Sequence, residues 1–254
     1  MNSITDYHCH LLPEIDDGPS TLDESIKMAT LLSTQGYKTV HCTPHMIKHR
    51  YDADNETVRY GIRKLQQVLD REGIPLKLLE GREYFLDDYF HEYLNDLMPL
   101  EQTSYLLIEM PPGTYSGMVR DMFAAIIRRG LTPMIAHPER SPLFSKEPET
   151  PVLQKKKLFR RKKPDNDHLF QSPDSNTDLE EWLRQTRCAF QGDLGSFIGI
   201  YGDFAQKTAY NLKQRNIYTH YGTDAHSAHH LEYLFSQIEK HHDLPPHLSP
   251  TPRL

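Results

Sequence analysis

Six short apolar stretches of this 254-residue chain end in histidine, aspartate or glutamate. The first is Asp6-Tyr7-His8-Cys9-His10. An extended backbone sends alternate side chains to opposite faces, so His8 and His10 point the same way. Two imidazoles on one face suit zinc, manganese or iron. The spacing returns in Asp224-Ala225-His226, after an apolar run that starts at Ile217. Ala136-His137-Pro138-Glu139-Arg140, Thr43-Pro44-His45 and Gly81-Arg82-Glu83-Tyr84 close three more runs. Leu107-Ile108-Glu109 sets a carboxylate at the end of a fourth, where burial without a partner is costly and a cation relieves it. Ile15-Asp16-Asp17-Gly18-Pro19 adds a tight acidic turn just past the first stretch. Any one of these could be a polar strand end. Together they point to a multinuclear metal site.

The elements that must position these residues alternate in type. Strand-like runs occupy 4–9, 38–42, 76–80, 105–110, 132–136, 188–192 and 217–222. Helical spacing lies between them. Thr21-Leu22-Asp23-Glu24 reads as a capping box, with Gly36 as the stop. Val58, Ile62, Leu65 and Leu69 form one stripe that ends at Gly73, and Met118, Met122 and Ile126 form another that ends at Gly130. Thr177 and Glu180 suggest a further box, and a helix is expected over 203–215. Seven strand–helix units imply parallel strands with right-handed crossovers. No glycine-rich phosphate loop opens a helix, so a closed or nearly closed α/β barrel is favoured over an open sheet. Barrel enzymes gather their chemistry at the C-terminal strand ends, where the polar residues fall.

Composition bounds the rest. Apolar content of 37% and charged content of 25% fit one globular domain, expected over 1–242. No apolar run is long enough to span a bilayer, and no signal-peptide pattern opens the chain. Cys9, Cys42 and Cys188 are too scattered for a disulfide framework, so a cytoplasmic location is expected. The stretch 145–176 lacks a sustained period and reads as a long surface insertion, and 243–254 as a Pro-rich tail. Seven of the positive charges fall within 155–163, so the remainder is more acidic than the net −6, which argues against nucleic-acid binding. The basic run would suit docking to a phosphorylated or acidic partner, or to a membrane surface.

The pieces His8-Cys9-His10-Leu11-Leu12-Pro13, Ile15-Asp16-Asp17-Gly18-Pro19, Ala136-His137-Pro138-Glu139-Arg140, Phe190-Gln191-Gly192-Asp193 and Thr223-Asp224-Ala225-His226 resemble the polymerase-and-histidinol-phosphatase (PHP) superfamily. Within it, they resemble the bacterial manganese-dependent tyrosine phosphatases of the capsule and exopolysaccharide type. The resemblance covers 4–144 and 177–240. It implies a distorted seven-stranded barrel holding three divalent ions, manganese in the first place, with iron or zinc as alternatives. His8, His10, Asp224 and a bridging Glu83 would hold the first. Glu83, Glu109 and His137 would hold the second, and Asp17, His45 and His226 the third. Choosing Asp17 over Asp16, and Glu83 over Glu80, rests on the family pattern; spacing decides neither.

The implied reaction is hydrolysis of protein phosphotyrosine, with a membrane-associated autophosphorylating tyrosine kinase of polysaccharide assembly as partner. Arg140 would neutralise charge on the phosphoryl oxygens; its alternative is a structural salt bridge. Phenolate leaves readily, so a general acid is optional; a metal-bound water, Asp6, His229 and His230 are the candidates, and the sequence does not choose among them. The family's second substrate-binding Arg has no counterpart here, where Ser227-Ala228-His229-His230-Leu231 follows. His229 and His230 are expected on a helix surface, and Tyr84 and Phe85 either pack or line the substrate slot. Thiol phosphatases carry Arg six residues after the nucleophile; after Cys9, Cys42 and Cys188 those positions are Ile15, Lys48 and Leu194, which argues against that route. A small-molecule phosphatase such as histidinol-phosphate phosphatase is the alternative on the same scaffold.

Overall fold

The computed structural model describes residues 4–145 and 178–238. The Pro-rich tail, His241, His242, Thr177 and all but the first residue of the insertion lie outside the described residues.

The expected α/β alternation is present, and every strand pairing is parallel. One sheet joins β1 (Ile4–Cys9), β2 (Tyr37–Cys42) and β4 (Lys77–Glu80) in that order. The other runs β3 (His45–Met46), β5 (Glu83–Phe85), β6 (Tyr105–Glu109), β7 (Thr132–Ala136), β8 (Ala189–Asp193) and β9 (His220–Gly222). Only Thr43 and Pro44 separate β2 from β3, and only Gly81 and Arg82 separate β4 from β5. Pro44 has no N–H to donate to a ladder, which explains the first break. Across it, the Pro44 carbonyl accepts from Glu83 N at 3.2 Å. The first strand also meets the segment beyond the last. Cys9 forms a parallel bridge with Ala225, Asp224 N donates to His8 O at 2.7 Å, and His10 N donates to Ala225 O at 3.0 Å.

The central strands are apolar on both faces, as parallel strands covered on both sides must be. Leu106, Ile108, Ile135 and Phe190 pack outward under the helices, while Leu107, Met134, Ala136 and Ala189 gather on the opposite face. Each of the larger side chains contributes about 1.5–3 kcal/mol by leaving water. That inner face continues upward into the polar residues.

The helices form where the stripes predict, with two adjustments. Thr21 caps α1 (Leu22–Thr34), accepting from Glu24 N at 3.2 Å, and Gly36 takes φ +94° beyond its end. Val58, Ile62, Leu65 and Leu69 are all buried along α2 (Asn55–Arg71), which Asp54 caps. In α4 (Ser116–Ile127), Val119, Phe123 and Ile126 are buried while Met118 and Met122 are only partly so: the stripe is rotated by one residue from the expected one. The cap of α5 (Leu179–Gln185) is Asp178, not Thr177, and accepts from Glu180 N at 2.9 Å. The expected helix over 203–215 is α7 (Gly202–Gln214). The helix expected around His229 and His230 is α8 (Ala228–Ile238), while short α3 (Phe90–Tyr93) and α6 (Leu194–Phe197) carry no sequence signal of their own.

Gly222 is a packing requirement. A Cβ there would lie 2.6 Å from His8 Cβ and 2.8 Å from His8 N, so only glycine lets β9 approach β1 at the level of the first histidine.

Candidate metal centre

All nine residues expected to hold metal lie at one end of the strands, and eight of them, all but His137, fall into three overlapping groups. His8, His10, Glu83 and Asp224 form one; His10, Asp17, His45 and His226 a second; His45, Glu83 and Glu109 a third, with the ligand atoms of each group within 4.8 Å of one another. The first matches the expected set in full. The second adds His10 to the expected trio. In the third, His45 stands where His137 was expected. His137 instead approaches the other oxygen of the same carboxylate, its Nε2 lying 3.0 Å from Glu83 Oε1.

Glu83 is the hub. It is fully buried, and its Oε2 lies 3.1 Å from His8 Nε2, 3.2 Å from His10 Nε2 and 2.9 Å from His45 Nδ1. None of these approaches is aligned as a hydrogen bond for that oxygen, nor is His45 Nδ1 otherwise satisfied. Asp224 Oδ1 repeats the pattern, 3.1 Å from His8 Nε2 and 3.3 Å from His10 Nε2, and also lacks a hydrogen bond. Lone pairs that converge without sharing a proton fit a cation between them. The residues present therefore fit divalent ions, and mixed nitrogen and oxygen donors admit Mn, Fe or Zn.

A second ring of contacts aims the imidazoles. Gln191 Oε1 lies 2.9 Å from His8 Nδ1, Asp16 Oδ2 lies 2.6 Å from His10 Nδ1, and the Asp224 carbonyl lies 2.9 Å from His226 Nδ1. Each engages one ring nitrogen and leaves Nε2 to face the centre, as metal-binding histidines require. Asp16 also accepts from His45 N at 2.8 Å and Gly18 N at 3.0 Å. The backbone is strained at the centre: His137 sits at φ +29° and Asp224 at φ +47°, left-handed values that cost non-glycine residues free energy and cluster at functional sites.

Charge crowding perturbs the acids and bases. Burial pulls His8 down, but Glu83 and Asp224 outweigh it and hold it at about 9. Burial and then Glu83 push Glu109 up to about 7. Burial and the positive Arg140 pull His137 down to about 4. Burial and the adjacent His10 pull His226 down to about 4.

Comparison with known proteins places this centre. The family model described as "Capsular polysaccharide synthesis, CpsB/CapC" matches residues 4–152. The chain belongs to the CpsB/CapC family. It is 29% identical over 224 residues to the tyrosine-protein phosphatase YwqE of Bacillus subtilis, spanning 87% of this chain and 77% of that protein. It is 24% identical over 237 residues to the putative tyrosine-protein phosphatase CapC of Staphylococcus aureus, spanning 92% and 82%. Among solved structures, it is similar to one from a study of YwqE from Bacillus subtilis and CpsB from Streptococcus pneumoniae, described as unique metal-dependent tyrosine phosphatases. The TM-score is 0.70 at 27% identity, over 96% of this chain and 90% of that one.

Around this CpsB/CapC-family centre, several residues stand differently from expectation. Arg140 is at the rim but not free: its guanidinium pairs with Asp193, lies 2.7 Å from Asp224 Oδ2, and covers the Tyr201 ring at 3.5 Å. Asp6 is wholly interior, its carboxylate accepting from His8 N, Thr223 N and Thr223 Oγ1. Tyr84 is core, its hydroxyl accepting from Met98 N at 2.8 Å. His229 is exposed as expected; His230 is half-buried against the site. Asp16, Gln191, Asp193 and Tyr201 had been given no role. Gln191 and Asp193 sit in the quoted family segment, and their polar side chains at the end of an apolar strand were the available signal.

Proposed function

We propose that this CpsB/CapC-family chain is a metal-dependent protein-tyrosine phosphatase. The observation that carries this reading is the convergence of His8, His10 and His45 on one oxygen of Glu83 with no hydrogen bond made. The similarity to proteins named tyrosine-protein phosphatases supports the substrate class. His8, His10, Asp224 and Glu83 would hold one ion, Asp17, His45 and His226 another, and Glu109 and His137 a third shared with Glu83; manganese is the first choice. When bound, such ions lower the pKa of water toward neutrality and neutralise phosphoryl charge.

The chain's own residues do the rest. Asp16 and Gln191 fix the ring orientations of His10 and His8. Arg140, turning from Asp193 toward the substrate, would bind phosphoryl oxygens through its fork of N–H donors. A phenolate needs little help to leave.

Joining β2 to β3 and β4 to β5 across their two-residue breaks gives seven strands, and the Cys9–Ala225 bridge supports reading them as a distorted closed barrel. Residues 1–242 would form this single domain. The physiological substrate would be an autophosphorylating, membrane-associated tyrosine kinase met from the cytoplasmic side. Among the described residues no helix is long and apolar enough to cross a membrane.

Initial rates on phosphotyrosine peptide, phosphoserine peptide and histidinol phosphate test the reading. Phosphotyrosine turnover should vanish on chelation and return with manganese. Turnover that survives complete metal removal, or a strong preference for histidinol phosphate, would overturn it.

A further inference from the structure

Five buried polar atoms on the centre and its wall lack a hydrogen-bond partner: His45 Nδ1, Glu83 Oε2, Asp224 Oδ1, Arg140 Nε and His230 Nε2. The first three belong to proposed ligands, and cations would satisfy them. The fourth belongs to a guanidinium already paired with Asp193 and Asp224 through its Nη2. His230 Nε2 remains, on a residue that the proposed mechanism does not use. A buried ring nitrogen without a partner is costly and calls for one.

The surroundings say which kind of partner. His230 lies in the first turn of α8, where its backbone N–H donates to Ser227 Oγ at 3.1 Å and fixes the start of the helix. Its ring meets Tyr201 at 72°, with centroids 6.3 Å apart, and the Arg140 guanidinium lies over the same Tyr201 ring. Arg140, Tyr201 and His230 thus form one continuous wall beside Asp224. Burial holds the imidazole below its usual pKa, and in either protonation state the ring has an N–H to offer. An N–H donor that shares the Tyr201 ring with an arginine matches the oxygens of a phosphoryl group.

We propose that His230 is a further substrate-binding residue, donating from Nε2 to a phosphoryl oxygen on the same wall as Arg140, with the Tyr201 side chain yielding as the phosphate enters. This rests on the phosphatase reading above and names a contact within that site.

The test uses full-length, manganese-loaded protein, with inorganic phosphate titrated calorimetrically and also used as a competitive inhibitor of phosphotyrosine-peptide hydrolysis. A hydrogen bond to a charged group corresponds to roughly 10- to 100-fold in affinity, so H230A should weaken phosphate binding by that factor. H230Q, which keeps an N–H donor at similar reach, should recover most of it. H229A should match the parent, and metal content should be equal in all four proteins. Phosphate affinity in H230A within twofold of the parent would overturn the proposal. So would a loss of metal in H230A, which would make the residue a support of the ions. If the parent hydrolyses no phosphotyrosine while H230A still weakens phosphate binding, the phosphatase reading fails and the His230 contact stands.

Discussion

Replacing Asp16 with asparagine separates a residue that orients ligands from one that is a ligand. Asp16 Oδ2 accepts two bonds, from His10 Nδ1 at 2.6 Å and His45 N at 2.8 Å, and Oδ1 accepts a third from Gly18 N at 3.0 Å. Burial raises its pKa, but His10 outweighs that and holds the carboxyl well below the usual range, so it is ionised at any working pH. Asparagine has one oxygen. If it takes the place of Oδ2, its amide meets the Gly18 N–H donor to donor; if it flips, His10 and His45 both lose their acceptor. The first arrangement costs less and still removes the negative charge that makes His10 Nε2 a better donor to metal. Outer-shell losses of this kind weaken metal affinity by about 10- to 100-fold, or roughly 1.4–2.7 kcal/mol.

Manganese titration of metal-free protein by calorimetry, with stoichiometry from elemental analysis, reads the effect. D16N should bind as many ions as the parent, more weakly. D17N should bind one fewer, because Asp17 is 42% exposed and offers Oδ1 3.5 Å from both His45 and His226 Nε2, without partners that would explain it as an orienting group. If D16N loses an ion outright, Asp16 is the ligand and the assignment reverses. If D16N binds within twofold of the parent, orientation of His10 contributes nothing and the reasoning fails.

R140A should lower kcat/KM for phosphotyrosine peptide by about 10²–10³, the usual loss of a preorganised charge donor, with R140K recovering less than tenfold; a change under threefold would reduce Arg140 to a partner for Asp193. G222A should cost about 1–3 kcal/mol in guanidinium unfolding, because the added methyl meets His8 Cβ and backbone; an unchanged midpoint would mean β9 is free to recede from β1. His220 sits edge-on between Tyr7 and Tyr105, and burial lowers its pKa to about 4. Between about pH 4 and the ordinary imidazole value of 6.5 the unfolded chain binds more protons at this site than the native one, so the native state loses stability as pH falls. H220F should therefore gain on the parent steadily from pH 6.5 to 4.5 in paired melts, and a difference independent of pH would refute the buried neutral imidazole.

Much of the fold was legible because period carries face. Val58, Ile62, Leu65 and Leu69 announced a helix, and the alternation through Leu106–Ile108 and Met134–Ala136 followed from strands apolar on both sides. The rotated stripe in α4 shows the limit: Met118 and Val119 are both apolar, and only the packed neighbour decides which is covered. The strand breaks were hidden for another reason. Nothing short of the pairing with β5 shows that Pro44 interrupts a strand and does not end it.

The centre was legible in its residues but not in its partnerships, for a physical reason. A strand end fixes the direction of a side chain, so His8, His10, Glu109, His137 and Asp224 stood out by position, whereas Glu83 over Glu80 rested on the family pattern. Which imidazole joins which carboxylate depends on distances between strands remote in sequence. That is why His45 takes the place expected for His137 beside Glu83 and Glu109. Arg140 makes the same point with charge. Its neighbours in sequence predicted an anion to grip, and its neighbours in space include two, Asp193 and Asp224. Asp193 is fully buried, and burial pushes its pKa up to about 7 against the pull of Arg140, with Asp224 and Glu139 adding to the rise. A guanidinium poised over such a carboxylate can exchange it for a phosphoryl group at small cost, because the acid left behind can take a proton. On that argument the salt bridge and the proposed substrate contact would be two states of one side chain, not competing explanations of it.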